Sequence, residues 1–533
     1  MNIKIPRSRK RISFGSAAIL LMGSALLAQL LGLLRTRLVN ANFDKPGLIH
    51  PTDAYFAAFV IPDFFFFTIA AGALGVAFMP VLADHLARGD KKGIWQLSSS
   101  LMNLLAIIMG AIGLLIFVFA KPLVTHVVAP DLRPELVGDT VTLVRLLALN
   151  PLLFTISGVL TATQQTLGRF FFYATAPLVY NLCIIASVYL FRDSLGIVGI
   201  GVGALVGAIL QLLVVIAGMR STGFHWVPQI HWKSMEFHQV LRQLPPRSLD
   251  QGIDQLQSVV ETRVASGLGA GAISHYNIAY TLQTAPVLLI GTAIATAVFP
   301  RLNDRLSHGQ KDLFRQDFLR ILRLIIWITM PVVVICFFGR GYLARLIFAN
   351  FSQEIANIFG FLCVAIFFRT VYAIVSRWFY AQKDTKTPLF VSLFTITLNI
   401  ILAYALTRPG GYGVEGLALA QSIVAAVEVT ILFIIMLLRD HKLFDNIFWN
   451  GVFRTVSVTG FSLVAGYITV SLLPLTSGDG GFLMAAKLFA IATATAATHV
   501  TLSGLFGLDE VRPFFSWLKR VVLRPVRIDY FSK

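Results

Sequence analysis

The chain has 533 residues, is 56% hydrophobic and 13% charged, and carries a formal charge of +18 with a mean hydropathy of +0.76. Soluble domains are about one quarter charged, so this composition excludes a soluble enzyme with short membrane anchors. It also excludes nucleic-acid binding, because the Lys and Arg residues sit between apolar runs and do not gather on a folded soluble face.

Apolar runs long enough to cross a bilayer follow one another with short loops between them. They predict spans at 16–39, 54–82, 97–120, 139–164, 171–191, 196–218 and 240–266, then 273–300, 319–338, 355–379, 388–407, 413–437, 450–473 and 482–505. The fold class is therefore an all-α integral membrane protein with about fourteen spanning helices. Lys4, Arg7, Arg9, Lys10 and Arg11 precede the first run in the manner of a signal peptide. That run continues to Arg35 and Arg37 without a small-residue cleavage site, so it reads as a retained first span. Pro62, Pro151, Pro286 and Pro331 lie within or beside spans and predict kinks. Cys183, Cys336 and Cys363 stand singly in apolar runs and give no disulfide framework.

Basic residues recur at Arg88, Lys91 and Lys92, at Arg220 and Lys233, at Arg301, Arg305 and Lys311, at Lys383 and Lys386, and at Arg439 and Lys442. These loops fall on one side of an even-span topology, so both termini are expected in the cytoplasm. Residues 339–345, with Arg340 and Arg345, are expected as an outer loop that departs from this bias.

A hairpin segment occurs twice. Phe78-Met79-Pro80-Val81-Leu82-Ala83-Asp84-His85-Leu86-Ala87-Arg88-Gly89 matches Val298-Phe299-Pro300-Arg301-Leu302-Asn303-Asp304-Arg305-Leu306-Ser307-His308-Gly309 at an offset of 220, Pro80 pairing with Pro300. The offset covers about six spans, an even number, so the halves repeat in parallel about an axis near the membrane normal. The expected organisation is a six-helix lobe over 1–225, a second over 226–444, an appended helix pair over 445–510 and a basic tail over 511–533. Two such lobes around a central cavity are the architecture of a transporter.

In the seventh span Arg247, Asp250, Asp254, Gln257 and Glu261 alternate steps of three and four and so share one helix face. Such a stripe fits a helix lying at the interface. It fits better a spanning helix whose polar face lines a wet cavity, because Arg35-Thr36-Arg37 of the first span matches Glu261-Thr262-Arg263 in the repeat.

Three segments carry a family resemblance. They are Leu30-Leu31-Gly32-Leu33-Leu34-Arg35 with Thr52-Asp53-Ala54-Tyr55 and Pro62; Pro246-Arg247 with Ala279, Leu282, Pro286 and Phe299-Pro300; and Phe379-Tyr380-Ala381-Gln382-Lys383-Asp384-Thr385-Lys386-Thr387-Pro388. Together they resemble the MurJ/MviN lipid II flippase family, within the superfamily of multidrug and oligosaccharide-lipid exporters.

The resemblance implies a lipid-linked substrate, undecaprenyl pyrophosphate bearing the peptidoglycan glycopeptide (lipid II), moved by alternating access across the bacterial cytoplasmic membrane. It implies a monomer among membrane lipids, with no nucleic acid and no cofactor. Arg suits a pyrophosphate because its planar fork donates to two oxygens at once. The substrate-site candidates are Arg35, Arg37, Arg247 and Gln257, with Asp53 matching the family's acidic residue near the outer gate. Gln29 and Thr281 stand where the family has arginines. Asp250, Asp254, Glu261 and Asp384 are the candidates for coupling to Na⁺ or H⁺. Other readings stay open: Arg35 and Arg37 as markers of the interface, Arg247 as a snorkelling side chain, the acids of the seventh span as partners of Arg247 and Arg263, and Asp384 as a cap for the eleventh span. The alternative function is a diverged exporter that moves another polyprenyl-linked glycan or amphiphile, or a relative that has lost transport. Nucleophile, phosphate-loop and ATPase motifs are missing from the sequence, so no enzyme is expected.

Overall fold

The computed structural model describes residues 14–44, 50–71, 78–220, 222–348 and 352–512; within these, the side chains of 14–22, 71, 245–251, 253, 254 and 352 are outside the description. Every regular element among the described residues is helical. The helices are α1 (Phe14–Phe43), α2 (Pro51–Phe65), α3 (Met79–Ala87), α4 (Lys91–Val118), α5 (Pro134–Leu147), α6 (Asn150–Thr166), α7 (Phe171–Leu190), α8 (Val198–Arg220) and α9 (Met235–Ser266). They continue as α10 (Ala272–Pro286), α11 (Ala293–Ser307), α12 (Lys311–Ile347), α13 (Ser352–Ala381), α14 (Lys386–Leu406), α15 (Gly413–Arg439), α16 (Asn446–Leu472) and α17 (Gly481–Leu505).

Among the described residues, twelve helical segments are long and apolar enough to cross a membrane. The expected first and seventh spans, on α1 and α9, are not among the twelve, so the count of fourteen rests on the sequence. The polar stripe explains α9, a 32-residue helix whose length of about 48 Å exceeds the bilayer core. The fourth expected span breaks between α5 and α6. Pro151 sits in the first turn of α6, where its missing N–H removes no helical bond but ends the preceding helix. The expected outer loop at 339–345 is corrected: those residues are the last turns of α12, which runs unbroken through Pro331 for 37 residues. Pro62 and Pro286 lie in the last turn of α2 and at the end of α10, and each helix passes into a six-residue π turn, Phe66–Ala71 and Val287–Thr292.

By packing the chain forms two compact units, Met1–Asn277 and Ile278–Lys533, where the repeat places a boundary at 225/226. The difference comes from α9, which lies against α2, the π turn after it, the π turn Leu123–Val128 and α4 within the first unit.

In the first unit the core gathers Phe78, Leu82, Ile94, Leu101, Val159 and Phe237. Helices α7 and α8 approach closely because α8 presents glycines: a Cβ at Gly207 would stand 3.0 Å from the Tyr180 ring, and one at Gly218 2.7 Å from Phe172 Cβ. In the second unit Phe314, Phe318, Leu322, Trp378, Phe379 and Leu432 form the core between α12, α13 and α15. The appended pair α16–α17 packs on α12, where the Trp327 indole donates to Ser503 Oγ (2.8 Å) and Tyr342 donates to the Leu473 carbonyl.

The duplicated hairpin has one local geometry in both units. Gly89 and Gly309 take φ of +72° and +71°, values that favour glycine. Their N–H groups donate to the carbonyls of Leu86 (3.0 Å) and Leu306 (3.1 Å). Asp90 and Gln310 N–H donate to the carbonyls of His85 and Arg305, both at 2.9 Å. The sequence repeat is thus a repeat of helix termination, with Lys91 and Lys311 opening the next helix in each case.

Candidate functional site

The first unit holds an acid–base cluster within the span of α2. Arg35 is half-buried on α1, and its Nε is buried with no hydrogen-bond partner among the described residues. It interacts electrostatically with Asp63 and Tyr55 of α2 and with Tyr180 of α7. Placing a guanidinium here costs desolvation energy. The buried Nε leaves a donor available to an oxyanion. Arg37, two residues on and nearly on the opposite side of the helix, is exposed, and Gln29 is half-buried.

A second polar cluster lies where α1 ends and α2 begins. Asp53 is buried on the first turn of α2 and accepts the backbone N–H of Gly271 on Oδ2 (2.7 Å) and of Ser274 on Oδ1 (2.8 Å). It thereby caps the start of α10 with a side chain from a distant helix. Beside it the rings of His50 and His275 meet edge to face at 5.6 Å. Asp44 accepts from Asn40 Nδ2 (3.1 Å) and from the Thr52 hydroxyl. A cavity of about 490 Å³ opens next to Asp53, lined also by Asp131, Arg133 and the Ser266–Ala270 turn. Arg263 is exposed and donates to the carbonyls of His126 (2.6 Å) and Val127 (3.3 Å).

On α9 the stripe is visible in its second half. Gln257 and Glu261 are buried, and Gln257 Nε2 donates to Glu261 Oε1 at 2.7 Å. The side chains of Arg247, Asp250 and Asp254 lie outside the described residues. Thr281 is half-buried on α10 and belongs to the second unit.

In the second unit Asp384 is a structural cap. It accepts the N–H groups of Lys386 and Thr387 (3.0 Å each), the Thr387 hydroxyl (2.6 Å) and Arg439 Nη1 (2.6 Å). Burial alone raises its pKa, but the Thr387 and Arg439 hydrogen bonds outweigh that and hold the carboxyl at about 2. The preceding Lys383 takes φ of +60° to make the turn.

Sequence reasoning passed over Asp63, Tyr180, and an ion pair in the second unit. Arg369 of α13 meets Glu428 of α15 at 3.2 Å, and Glu428 also accepts from Ser392 Oγ of α14 (2.8 Å). The signal was present: each is an ionisable residue inside an apolar run. Its partner was not readable, because it comes from a different helix. Among the described residues no three His, Cys, Asp or Glu side chains gather as metal ligands.

A family profile described as Lipid II flippase MurJ matches residues 48–489. A probable lipid II flippase MurJ of Borreliella burgdorferi is 24% identical over 85% of this chain and 88% of its own length. One of Bdellovibrio bacteriovorus is 23% identical over 95% and 97%. The lipid II flippase MurJ of Burkholderia cenocepacia is 24% identical over 78% and 83%. Among solved structures, a lipid II flippase MurJ in an inward closed conformation superposes with a TM-score of 0.74 at 21% identity, over 93% of this chain and 100% of its own. An inward-facing MATE-family multidrug transporter of the MOP superfamily superposes with a TM-score of 0.68 at 17% identity, over 80% and 98%.

Proposed function

This chain belongs to the lipid II flippase MurJ family, and from that premise we propose that it moves lipid II across the bacterial cytoplasmic membrane by alternating access. The observation that carries the proposal is Arg35. A half-buried guanidinium on α1, with its Nε unmet, is a donor suited to a pyrophosphate passing through low dielectric. Asp63 of α2 is electrostatically coupled to this guanidinium. The substrate-binding set comprises Arg35, Arg37 and Arg247, with Gln257 on the polar stripe and Gln29 and Thr281 at positions where the family has Arg. Asp53 holds the start of α10 and belongs to the outer gate.

The protein works as a monomer, with both termini in the cytoplasm. Reporter fusions at the N-terminus and after Lys533 test the orientation, and a periplasmic signal from either end would refute it. Movement is driven by an ion gradient or the membrane potential, with Asp250, Asp254 and Glu261 as the coupling carboxylates for Na⁺ or H⁺. The deciding experiment is complementation: expression should sustain growth of cells depleted of their own lipid II flippase. Stable membrane insertion without rescue would favour the second reading, a flippase of another polyprenyl-linked glycan, which Gln29 and Thr281 recommend.

A further inference from the structure

The connection between α8 and α9 forms a strap laid along α4. Asn103 of α4 donates Nδ2 to the Val227 carbonyl (2.8 Å) and accepts the Trp226 indole N–H (2.8 Å). Ser99 and Ser100 accept the backbone N–H groups of Val227 and His231, both at 3.1 Å. Phe224 meets Trp95 edge to face at 5.3 Å. The 28 residues of α4 make a rod of about 42 Å, some 12 Å longer than the hydrocarbon core, so it reaches into the headgroup layer. Lys91 and Lys92 mark the end that does so.

Between the strap, the α3–α4 turn and the first turn of α9 lies a cavity of about 620 Å³. Its walls carry both signs of charge. Lys233 is exposed at the cavity and has no carboxylate within 4.0 Å among the described residues. Asp90 is held by Gly93 N–H and by His85 Nδ1, both at 2.9 Å. Glu236 accepts from Ser234 Oγ at 2.9 Å. A plain anion would meet two carboxylates here, and a plain cation would meet Lys233. Exposed apolar side chains flank the site: Leu86, Trp232 and Met235 near the cavity, and Ile107 and Leu114 farther along α4.

We propose that this cavity binds the zwitterionic headgroup of an aminophospholipid of the ethanolamine type. The phosphate lies against Lys233 and the ammonium against Glu236 and Asp90. The acyl chains pass Trp232, an amphipathic ring suited to the interface, and run along the exposed face of α4. The proposal rests on α4 spanning the membrane and is independent of which substrate is transported.

The test is native mass spectrometry of the full-length, delipidated protein in neutral detergent, titrated separately with phosphatidylethanolamine, phosphatidylcholine and phosphatidylglycerol of matched acyl chains. A primary ammonium donates hydrogen bonds and a quaternary one does not. Charge-assisted bonds of this kind give about a tenfold preference for ethanolamine over choline. Glu236→Gln should remove that preference while choline-lipid retention stays. Lys233→Gln should lower retention of all three lipids, and Lys233→Arg should restore it. Inorganic phosphate at millimolar concentration should not displace the lipid. Equal retention of ethanolamine and choline lipids by the unsubstituted protein would overturn the proposal. So would displacement by free phosphate, or variants that behave like the parent.

Discussion

Asp53 and Ser274 are joined by a 2.8 Å hydrogen bond from the Ser274 backbone N–H to Asp53 Oδ1. The second carboxylate oxygen holds Gly271 N–H, so one buried side chain of α2 satisfies two amides at the start of α10. Ala at Asp53 leaves both donors unmet, which costs about 1–3 kcal/mol for each buried group. Asn keeps one acceptor oxygen and turns an N–H₂ toward the other amide. The expected order of thermal midpoints in detergent is Asp53, then Asn, then Ala, followed by thiol-reactive dye. An Ala variant as stable as the parent would show that this cap does not hold the two helices.

Arg35 should be required for substrate handling. Removing one member of a desolvated charge contact costs about 2–5 kcal/mol, a loss of well over tenfold in binding. Arg35→Ala at equal membrane abundance should lose flipping, and Arg35→Lys should recover part of it, because charge returns without the fork. Parental activity in the Ala variant would remove Arg35 from the substrate site.

Asp63 should matter through Arg35. Asp63→Asn removes a group that is electrostatically coupled to the guanidinium, so the stability of the empty state should change while anion binding is kept or strengthened. The stability of the double variant Asp63→Asn with Arg35→Gln should depart from the sum of the single changes, because the two groups interact. Strict additivity in a double-mutant cycle would mean that the two do not interact.

Ion coupling is tested on the stripe of α9. Asp250→Asn and Asp254→Asn, alone and together, should change the Na⁺ or H⁺ dependence of flipping. If the dependence on both ions is unaltered, the coupling carboxylates lie elsewhere.

The Asp384 cap predicts a pH window. Its folded pKa of about 2 lies below the unfolded value of about 3.9. A depressed carboxylate stabilises the fold above the unfolded pKa, and that contribution is lost as pH falls through the folded one. The midpoint difference between parent and Asp384→Asn should therefore be constant above pH about 5 and shrink between about 4 and 2. A difference that grows on acidification would contradict the assignment.

The sequence by itself determined the class of molecule. Apolar run lengths, the 220-residue repeat and the Phe379–Pro388 segment are local properties. A membrane core requires apolar length whatever the neighbours are, and Gly89 and Gly309 end their helices by backbone conformation alone. Arg35 was legible for the same reason, as a charge closing an apolar run. Partnerships were not legible, because they join residues far apart in the chain. The family resemblance marks Asp53 as an outer-gate residue, but only tertiary structure brings Gly271 and Ser274 to its oxygens. Asp63 stands next to Pro62 in plain view, yet its relation to Arg35 depends on how α1 lies against α2. The placement of α9 with the first unit was likewise decided by packing, because a helix polar on one face and apolar on the other fits either neighbour until side-chain volumes choose between them.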